Sequence, residues 1–506
     1  MNLHAKIAIG LVALGALATA AYKLVWPYVE ERRQIAQSDA RHTRGKITVG
    51  VDNWVGYFPL CSPEMQRRLR GDGYLLQCED DQADLPARMN RLRSGELQFA
   101  VSTVDAYLKN GPAAGFPGAI VAVIDESKGG DAIVAWQDKL PSLDALKGLT
   151  PPAVAFTPNS PSEHLLRVAA VHFDIDGLKQ PGPWRVETQG STQALQQLLS
   201  RRTDAAVLWE PDVSRALATP GVIKLLSTAD TDKLIVDVLI AGKAAAQQPQ
   251  LIESLLKHYF DTLTHYGAQP EQLERDVANS TKLPAGSVRA MLAGVRWIGL
   301  NDNHDQWLGD RAQGLVDVIG SSIRILVEAK ALAGNPLPGE DPYRIVNSQF
   351  AAALHAAPGA SQSGASLALP VVFQPLDDAG WDRMREIGTL KPFQVAFRSG
   401  TSELSVDGKE QLDQVMDVLR HYPSFRLRIV GHTGTNGDAR ENQLLSAERA
   451  ESAARYLNVT HMLDPNRMRV HGRGGQQPLP RQGGETDRAY QYRLPRVEVA
   501  LLKDPP

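Results

Sequence analysis

The sequence predicts a doubly wound α/β region followed by a smaller α+β domain, the pair preceded by one apolar helix able to cross a membrane. Three observations lead there. An uncharged apolar run opens the chain, short apolar strands then alternate with helical stretches, and the pattern changes again beyond an Ala/Ser/Gly/Pro-rich segment near residue 351. At 506 residues the chain exceeds what one ordinary core organises. Its hydrophobic share of 43% supplies apolar side chains for several cores, and a net charge of -3 gives no general attraction to nucleic acid or acidic lipid.

The opening run extends from Ile7 to Tyr22, with Lys6 before it and Leu24, Val25, Trp26 and Tyr28 after it. Read through Val25, it approaches the roughly 20 apolar residues that span a bilayer, and Trp26 and Tyr28 suit the interface. Residues 1–28 are therefore expected to be a retained signal anchor in the inner membrane, with the bulk of the chain exported to the periplasm. The small-residue triplets Ala16-Leu17-Ala18 and Ala18-Thr19-Ala20 keep a cleaved signal peptide and a soluble periplasmic protein as the alternative. Residues 29–45 are polar and lack apolar periodicity, as a stalk would.

Cys61 and Cys78 are the two cysteines. A helix over Ser62 to Leu69 and a returning strand over Tyr74 to Cys78 would bring both to one sheet edge, so a disulfide is plausible; two buried thiols are the alternative.

From Ile47 the strands Ile47–Val51, Leu97–Val101, Ala119–Ile124, Ala153–Phe156, Ala205–Trp209 and Leu234–Ile240 alternate with helices such as Leu85–Leu92 and Glu163–His172. Helices dominate afterwards, at Pro249–Tyr266, Pro270–Asn279, Ala285–Gly294 and Ala312–Ala333, so residues 46–350 form one α/β region with a helical end. A flexible linker is expected over 351–369 and a second domain over 370–503. In that domain Val395–Phe397, Arg426–Val430, Met468–Val470 and Arg496–Leu501 read as strands, with helices around Leu412–Leu419 and over Asn442–Leu457.

The phrase Gly431-His432-Thr433-Gly434-Thr435-Asn436-Gly437, followed by Asn442, Leu445, Ser446, Arg449 and Ala450, closely resembles the OmpA carboxy-terminal family from about Phe393 to Leu501. Gly472-Arg473-Gly474, Pro478 and Arg496-Val497-Glu498 extend the match. By helical spacing alone, Asn442, Ser446 and Arg449 share one face beside a Gly-rich turn, where a guanidinium can grip a carboxylate as a fork. The resemblance implies a peptidoglycan-binding pocket drawn from Thr433, Gly434, Asp438, Asn442, Arg449 and Arg496. In it Arg449 would hold the carboxylate of a diaminopimelate-type side chain. At position 434 the family carries an Asp for the ligand's ammonium, and here it is Gly434. Asp438 or Glu441 are the nearby substitutes.

Residues Ile47 to about Leu308 resemble periplasmic solute-binding proteins of the sulfonate, nitrate and thiamine-precursor class. The resemblance rests on Val51-Asp52-Asn53-Trp54-Val55-Gly56-Tyr57-Phe58-Pro59-Leu60, Gly129-Gly130-Asp131-Ala132, Ser142-Leu143-Asp144-Ala145-Leu146-Lys147-Gly148 and Asp204 to Pro211. It implies two α/β lobes closing on a small ligand. Read directly, Trp54 and Tyr57, Ser102 and Thr103, and Trp209 and Glu210 follow strands, at the carboxyl ends where open α/β sheets bind ligands. Ser160, Pro161 and Ser162 open a helix that offers N–H groups to an anion, although Ser160 and Glu163 also fit a self-contained capping box. Asp131 and Glu210 suit an ammonium, the hydroxyls an anion such as phosphate, sulfonate or nitrate; both stay open.

The sequence contains no Gly-x-Ser-x-Gly, His-Glu-x-x-His, Cys-x-x-Cys or Walker phrase, so no catalytic site, metal or cofactor is expected. The expected partners are peptidoglycan, a small solute and the inner membrane, with a transporter permease or an envelope complex beyond them. The leading function is a tethered, wall-attached solute-binding protein. The alternative is a ligand-free envelope scaffold that uses the same lobes for docking.

Overall fold

A computed structural model describes residues 44–148, 152–309, 314–357, 372–398 and 400–504. The expected anchor and nearly all of the stalk lie outside them. Among the described residues no helix is long and apolar enough to cross a membrane.

The first strand shows how the sequence builds the first lobe. In β1 (Gly45–Val51) Ile47, Val49 and Val51 point into one core while Gly50 on the opposite face packs against Leu97 and Arg88, so only the start of the strand, at Lys46, faces solvent. It begins at Gly45, inside the expected stalk. The other strands of this sheet are β2 (Tyr74–Asp80), β3 (Phe99–Thr103) and β4 (Gly118–Ser127). The chain then leaves for the second lobe, whose strands are β5 (Asp131–Trp136), β6 (Val154–Phe156), β7 (Arg185–Glu187), β8 (Ala205–Trp209) and β9 (Val222–Ser227). It returns through β10 (Val236–Gly242) and β11 (Val295–Trp297). The first sheet has the order β11-β4-β10-β3-β1-β2 and the second β7-β6-β8-β5-β9. β1 is parallel to β2 and β3, and β10 is antiparallel to β3 and β4.

The lobes are joined by two adjacent crossings. Ser127 Oγ donates to Asp131 Oδ2 at 2.7 Å and lies 2.8 Å from Thr228 Oγ1, and Gly129 N donates to Thr228 Oγ1 at 3.0 Å, so the outgoing and returning strands are stitched together. Gly130 permits the close approach of Trp54: a Cβ there would stand 2.2 Å from the indole ring. Cys61 and Cys78 form a disulfide, their Cα atoms 6.0 Å apart, that ties the chain ahead of the helix Pro63–Gly71 to the edge strand β2.

The helix Gly314–Glu328 packs on Val104–Asn110 of the first lobe and Pro161–His172 of the second. The helix Gln349–Ala356 continues past position 351, where a linker was expected, because Phe350 and Ala351 are buried against the first lobe. Residues 358–369 of that expected linker lie outside the described set.

The carboxy-terminal domain is α+β and carries the third sheet, of order β12-β15-β13-β14, formed by β12 (Arg385–Thr389), β13 (Arg426–His432), β14 (Met468–Gly472) and β15 (Arg496–Lys503). The helices Val406–Leu419 and Ala439–His461 cover it. Val395–Phe397, expected as a strand, makes only isolated bridges nearby, Phe393 to Val497 and Phe397 to Leu404. The place beside β15 is taken by β12.

This domain is docked on the second lobe. Leu143 and Phe173 belong to the same apolar cluster as Ile387, Leu390, Phe393 and Tyr422. Lys391 N donates to His172 O at 2.7 Å, His172 Nδ1 lies 2.8 Å from Tyr422 Oη, and Asp232 N donates to His421 O at 3.0 Å.

Candidate functional site

Between the lobes lies a narrow cleft, lined by side chains from both of them. The first lobe contributes Asp52, Trp54 and Tyr57 after β1, Ser102 and Thr103 at the end of β3, and Asp237 from β10. The second lobe contributes Asp131 at the start of β5, Ser160 ahead of the helix Pro161–His172, and Trp209 at the end of β8. Trp209 reaches across and packs on the apolar cluster of the first lobe.

One arginine organises the floor. The Arg88 side chain is fully buried, donating to Asp81 Oδ2 at 2.7 Å, to Asp52 Oδ2 at 3.1 Å and to Val101 O at 2.9 Å. Burial works against its charge, but the carboxylates of Asp81 and Asp52 outweigh burial and hold its pKa above the ordinary value. Behind the aromatic wall, Trp54 Nε1 donates to Asp125 Oδ1 at 3.1 Å and Tyr57 Oη donates to Asp237. Burial raises both Asp125 and Asp237 above the usual carboxylate range, helped at Asp125 by the charges of Asp131 and Glu126 and at Asp237 by that of Asp125, and opposed by their hydrogen bonds to Trp54 and Tyr57. Burial also lifts Asp131 to about 7, helped by the charges of Asp105, Glu210 and Asp52 and opposed by the Ser127 hydroxyl.

Not every expected residue faces the cleft. Glu210 accepts from Ser214 N at 3.1 Å and Ser214 Oγ at 2.8 Å, so it closes the first turn of the helix Asp212–Leu217. Ser162 is buried, and its hydroxyl has no partner among the described residues. The capping box does not form. Ser160 Oγ turns back to Thr157 O at 2.7 Å, and Glu163 accepts from Asn159 N at 2.8 Å while pairing with Lys109, Arg167 and Arg185. Burial raises Glu163, but those three cations outweigh it and bring its pKa down to about 2.

Sequence reasoning passed over Asp52, Arg88, Asp125 and Asp237. A usable signal existed: Asp237 interrupts the apolar run Leu234 to Ile240, and Asp125 ends Ala119 to Ile124. A carboxylate inside a strand buried on both faces costs free energy unless it has a task or a partner.

In the carboxy-terminal domain Thr433 is buried at the end of the sheet, and Gly434 lies beside Gln491, whose Oε1 accepts from Thr435 N at 3.1 Å. Asp438 caps the helix Ala439–His461, accepting from Arg440 N at 2.9 Å and Glu441 N at 3.0 Å, and Asn442 Nδ2 donates to Asn436 O at 2.9 Å. Arg449 lies over the Phe397 ring, 5.0 Å from its centroid, and donates to Thr401 O at 3.1 Å. Partial burial lowers its pKa, and it has no carboxylate partner among the described residues. Ser446, expected on the same polar face, is buried and donates to Gln443 O while accepting from Gly474 N. Arg496 is buried too, paired with Glu498 and donating to Leu494 O and Gln477 O, which makes it a support of the sheet end.

Residues 396–491 match the OmpA family. The chain is 34% identical across 115 residues to Outer membrane protein A of Bordetella avium, covering 22% of this chain and 57% of that protein. It is 32% identical across 110 residues to the Probable lipoprotein YiaD of Escherichia coli (strain K12), covering 22% and 48%. The chain thus spans about half the length of these curated relatives. The two-lobed region is similar in structure to the periplasmic aliphatic sulphonate binding protein SsuA from Escherichia coli, with 18% identity, a TM-score of 0.46 and coverage of 58% of this chain and 95% of that one. It is also similar to the alkanesulfonate-binding protein SsuA from Xanthomonas axonopodis pv. citri bound to MOPS, with 15% identity, a TM-score of 0.46 and coverage of 57% and 95%. Two modules therefore stand in one chain, an OmpA domain and a two-lobed domain with an internal cleft.

Away from the cleft, His304, Asp305 and His355 hold their ligand atoms within 4.8 Å of one another. The two imidazoles are stacked 4.0 Å apart and 4° from parallel. Stacked rings direct their lone pairs side by side and not toward one point, so this cluster is not assigned as a metal centre.

Proposed function

We propose that this chain is an envelope protein that binds a small solute between its lobes and associates with peptidoglycan through its OmpA domain. The observation that carries the reading is the cleft itself: polar and aromatic side chains from both lobes converge on one space beside a double crossing. The wall association rests on the OmpA match and on Arg449, a half-buried guanidinium without a carboxylate partner among the described residues. The apolar run within residues 1–28 adds an inner-membrane tether with the bulk in the periplasm, and a transporter permease or an envelope complex would be the protein partner. No catalytic role is proposed. A tether at one end and a wall contact at the other make even weak wall binding effective, because the second contact is intramolecular.

Two assays on the exported chain test this. Co-sedimentation with purified sacculi should retain the wild type and lose Arg449→Ala; no retention of the wild type sinks the wall claim. A thermal-shift screen against small anions, sulfonates, amines and amino acids should yield at least one ligand that raises the melting temperature. Silence across the screen would favour a scaffold whose lobes serve only for docking.

A further inference from the structure

Resting on the solute-binding reading, we propose that the cleft takes a compact solute bearing an ammonium group, held by Asp131 and Asp237 between Trp54 and Trp209. The charge inventory leads to this. Among the residues lining the cleft the carboxyl groups are Asp52, Asp131 and Asp237, and the basic residue is Arg88. That guanidinium is committed to Asp52, Asp81 and Val101 O, so it offers no fork to an incoming anion. A sulfonate or phosphate would be desolvated beside carboxyl groups with no uncommitted cation to receive it. An ammonium meets the reverse situation.

A second observation is independent of the acids. Thr103 lines the same space, is 2% exposed, and its Oγ1 has no hydrogen-bond partner among the described residues. A polar group of the ligand would satisfy it, an N–H by donating to the hydroxyl or an oxygen by accepting from it, so this atom points to a polar ligand in the space and the acids select its charge. The aromatic side chains of Trp54, Tyr57 and Trp209 complete a wall of the type that attracts cations by their ring quadrupoles. The helix Pro161–His172 opens at the other side, where Ser160 leaves its first-turn N–H groups uncovered; a zwitterion could place its anionic end there.

The carboxyl groups also predict a proton linkage. Asp131 faces Asp105, Glu210 and Asp52 and bonds the Ser127 hydroxyl, while His164 stands 3.8 Å from Asp105. Asp237 faces Asp125, Asp52 and Asp131 and bonds Tyr57, with Arg88 beyond Tyr57 and Glu126 beside Asp125. A bound cation takes the place of a proton among these groups, so binding releases protons and strengthens as pH rises.

The test is calorimetric titration of the exported chain with ethylammonium, choline and putrescine, and in parallel with ethanesulfonate, inorganic phosphate and nitrate. Taurine serves as the zwitterion matched to ethanesulfonate. At least one amine should bind, with affinity rising up to about tenfold between pH 6 and 8. Asp131→Asn should weaken it by about tenfold to a hundredfold. The asparagine can still accept from Ser127, and the wild-type pH profile stands even if the variant fails to fold. Taurine supports the assignment only if ethanesulfonate does not bind. An anion that binds as tightly as the amines, or an amine affinity that falls with pH, overturns the ammonium assignment and leaves the solute-binding reading standing. No binding by any probe overturns both.

Discussion

Arg88→Met is the substitution most exposed to refutation. Methionine fills nearly the same space, so the loss is chiefly of charge and hydrogen bonds. The Asp52 and Asp81 side chains, 15% and 10% exposed, would face each other without a cation, and Val101 O would lose its donor. Removing one partner of a buried ion pair costs about 3–5 kcal/mol, and the slight access of water to both carboxylates places this case near the lower end. Urea unfolding followed by tryptophan emission, fitted as a separate first-lobe transition because the chain is multidomain, reads the change. The triple variant Arg88→Met, Asp52→Asn, Asp81→Asn should recover much of the loss, since it removes the stranded charges along with their partner. A single variant within about 1 kcal/mol of wild type, or a triple variant no more stable than the single, would refute the assignment of Arg88 as the counter-charge of the cleft floor.

Further outcomes follow from the same reasoning. Gly434→Asp should restore the ammonium-binding carboxylate that the OmpA resemblance implies and raise sacculus affinity by about tenfold. A Cβ at that position meets Gln491 Oε1 at 2.8 Å, the end of a flexible side chain that can turn away, so the fold should tolerate the change. Unchanged affinity in the sedimentation assay would count against the implied pocket. Replacing both Cys61 and Cys78 by serine opens a loop of sequence separation 17 and should lower first-lobe stability by about 3 kcal/mol, read as a shifted urea midpoint; no shift would mean that the bridge contributes nothing. His172 is buried at the junction with the OmpA domain, where burial and then the neighbouring His421, His164 and Arg324 hold its pKa well below the ordinary value. Its folded pKa is thus lower than its unfolded value of about 6.5, so its contribution is complete above that pH and is lost as pH falls below it. The raised carboxyls of the cleft act with the opposite sign in the same window. The readout is therefore the stability difference between wild type and His172→Gln, which should narrow from pH 7.5 to pH 5; a constant difference would refute the neutral buried imidazole.

Much of the fold was legible in the sequence because its strands are locally explicit. Ala205–Trp209 and Leu234–Ile240 are apolar runs of strand length, and both are strands of the buried sheets. β12 was not legible: Arg385-Glu386-Ile387-Gly388-Thr389 has one large apolar residue, and it becomes a strand through its pairing with β15 and its contact with the second lobe. Tertiary context supplied what local pattern lacked. In the cleft, residues such as Trp54, Thr103 and Trp209 could be found because strand ends in an open α/β sheet converge. Asp237 could not be placed by that rule, since it lies at the start of β10, which runs antiparallel to β3 and so brings Asp237 beside Thr103. Ser160 shows the opposite limit. Its spacing to Glu163 fits a capping box, yet Lys109 and Arg185 from other elements, with Arg167 one turn along the same helix, draw the glutamate away.

The docking of the OmpA domain on the second lobe bears on how the two modules work together. Their shared apolar cluster means that any closure of the second lobe onto the first carries the OmpA domain with it. The central claim, that the space between the lobes is the ligand site, is tested most directly by a crystal structure of the protein purified from its own host. The account predicts density for a small molecule between Trp54 and Trp209, in contact with Asp131 and Thr103. A retained ligand bound elsewhere on the chain, with solvent alone between the lobes, would contradict it.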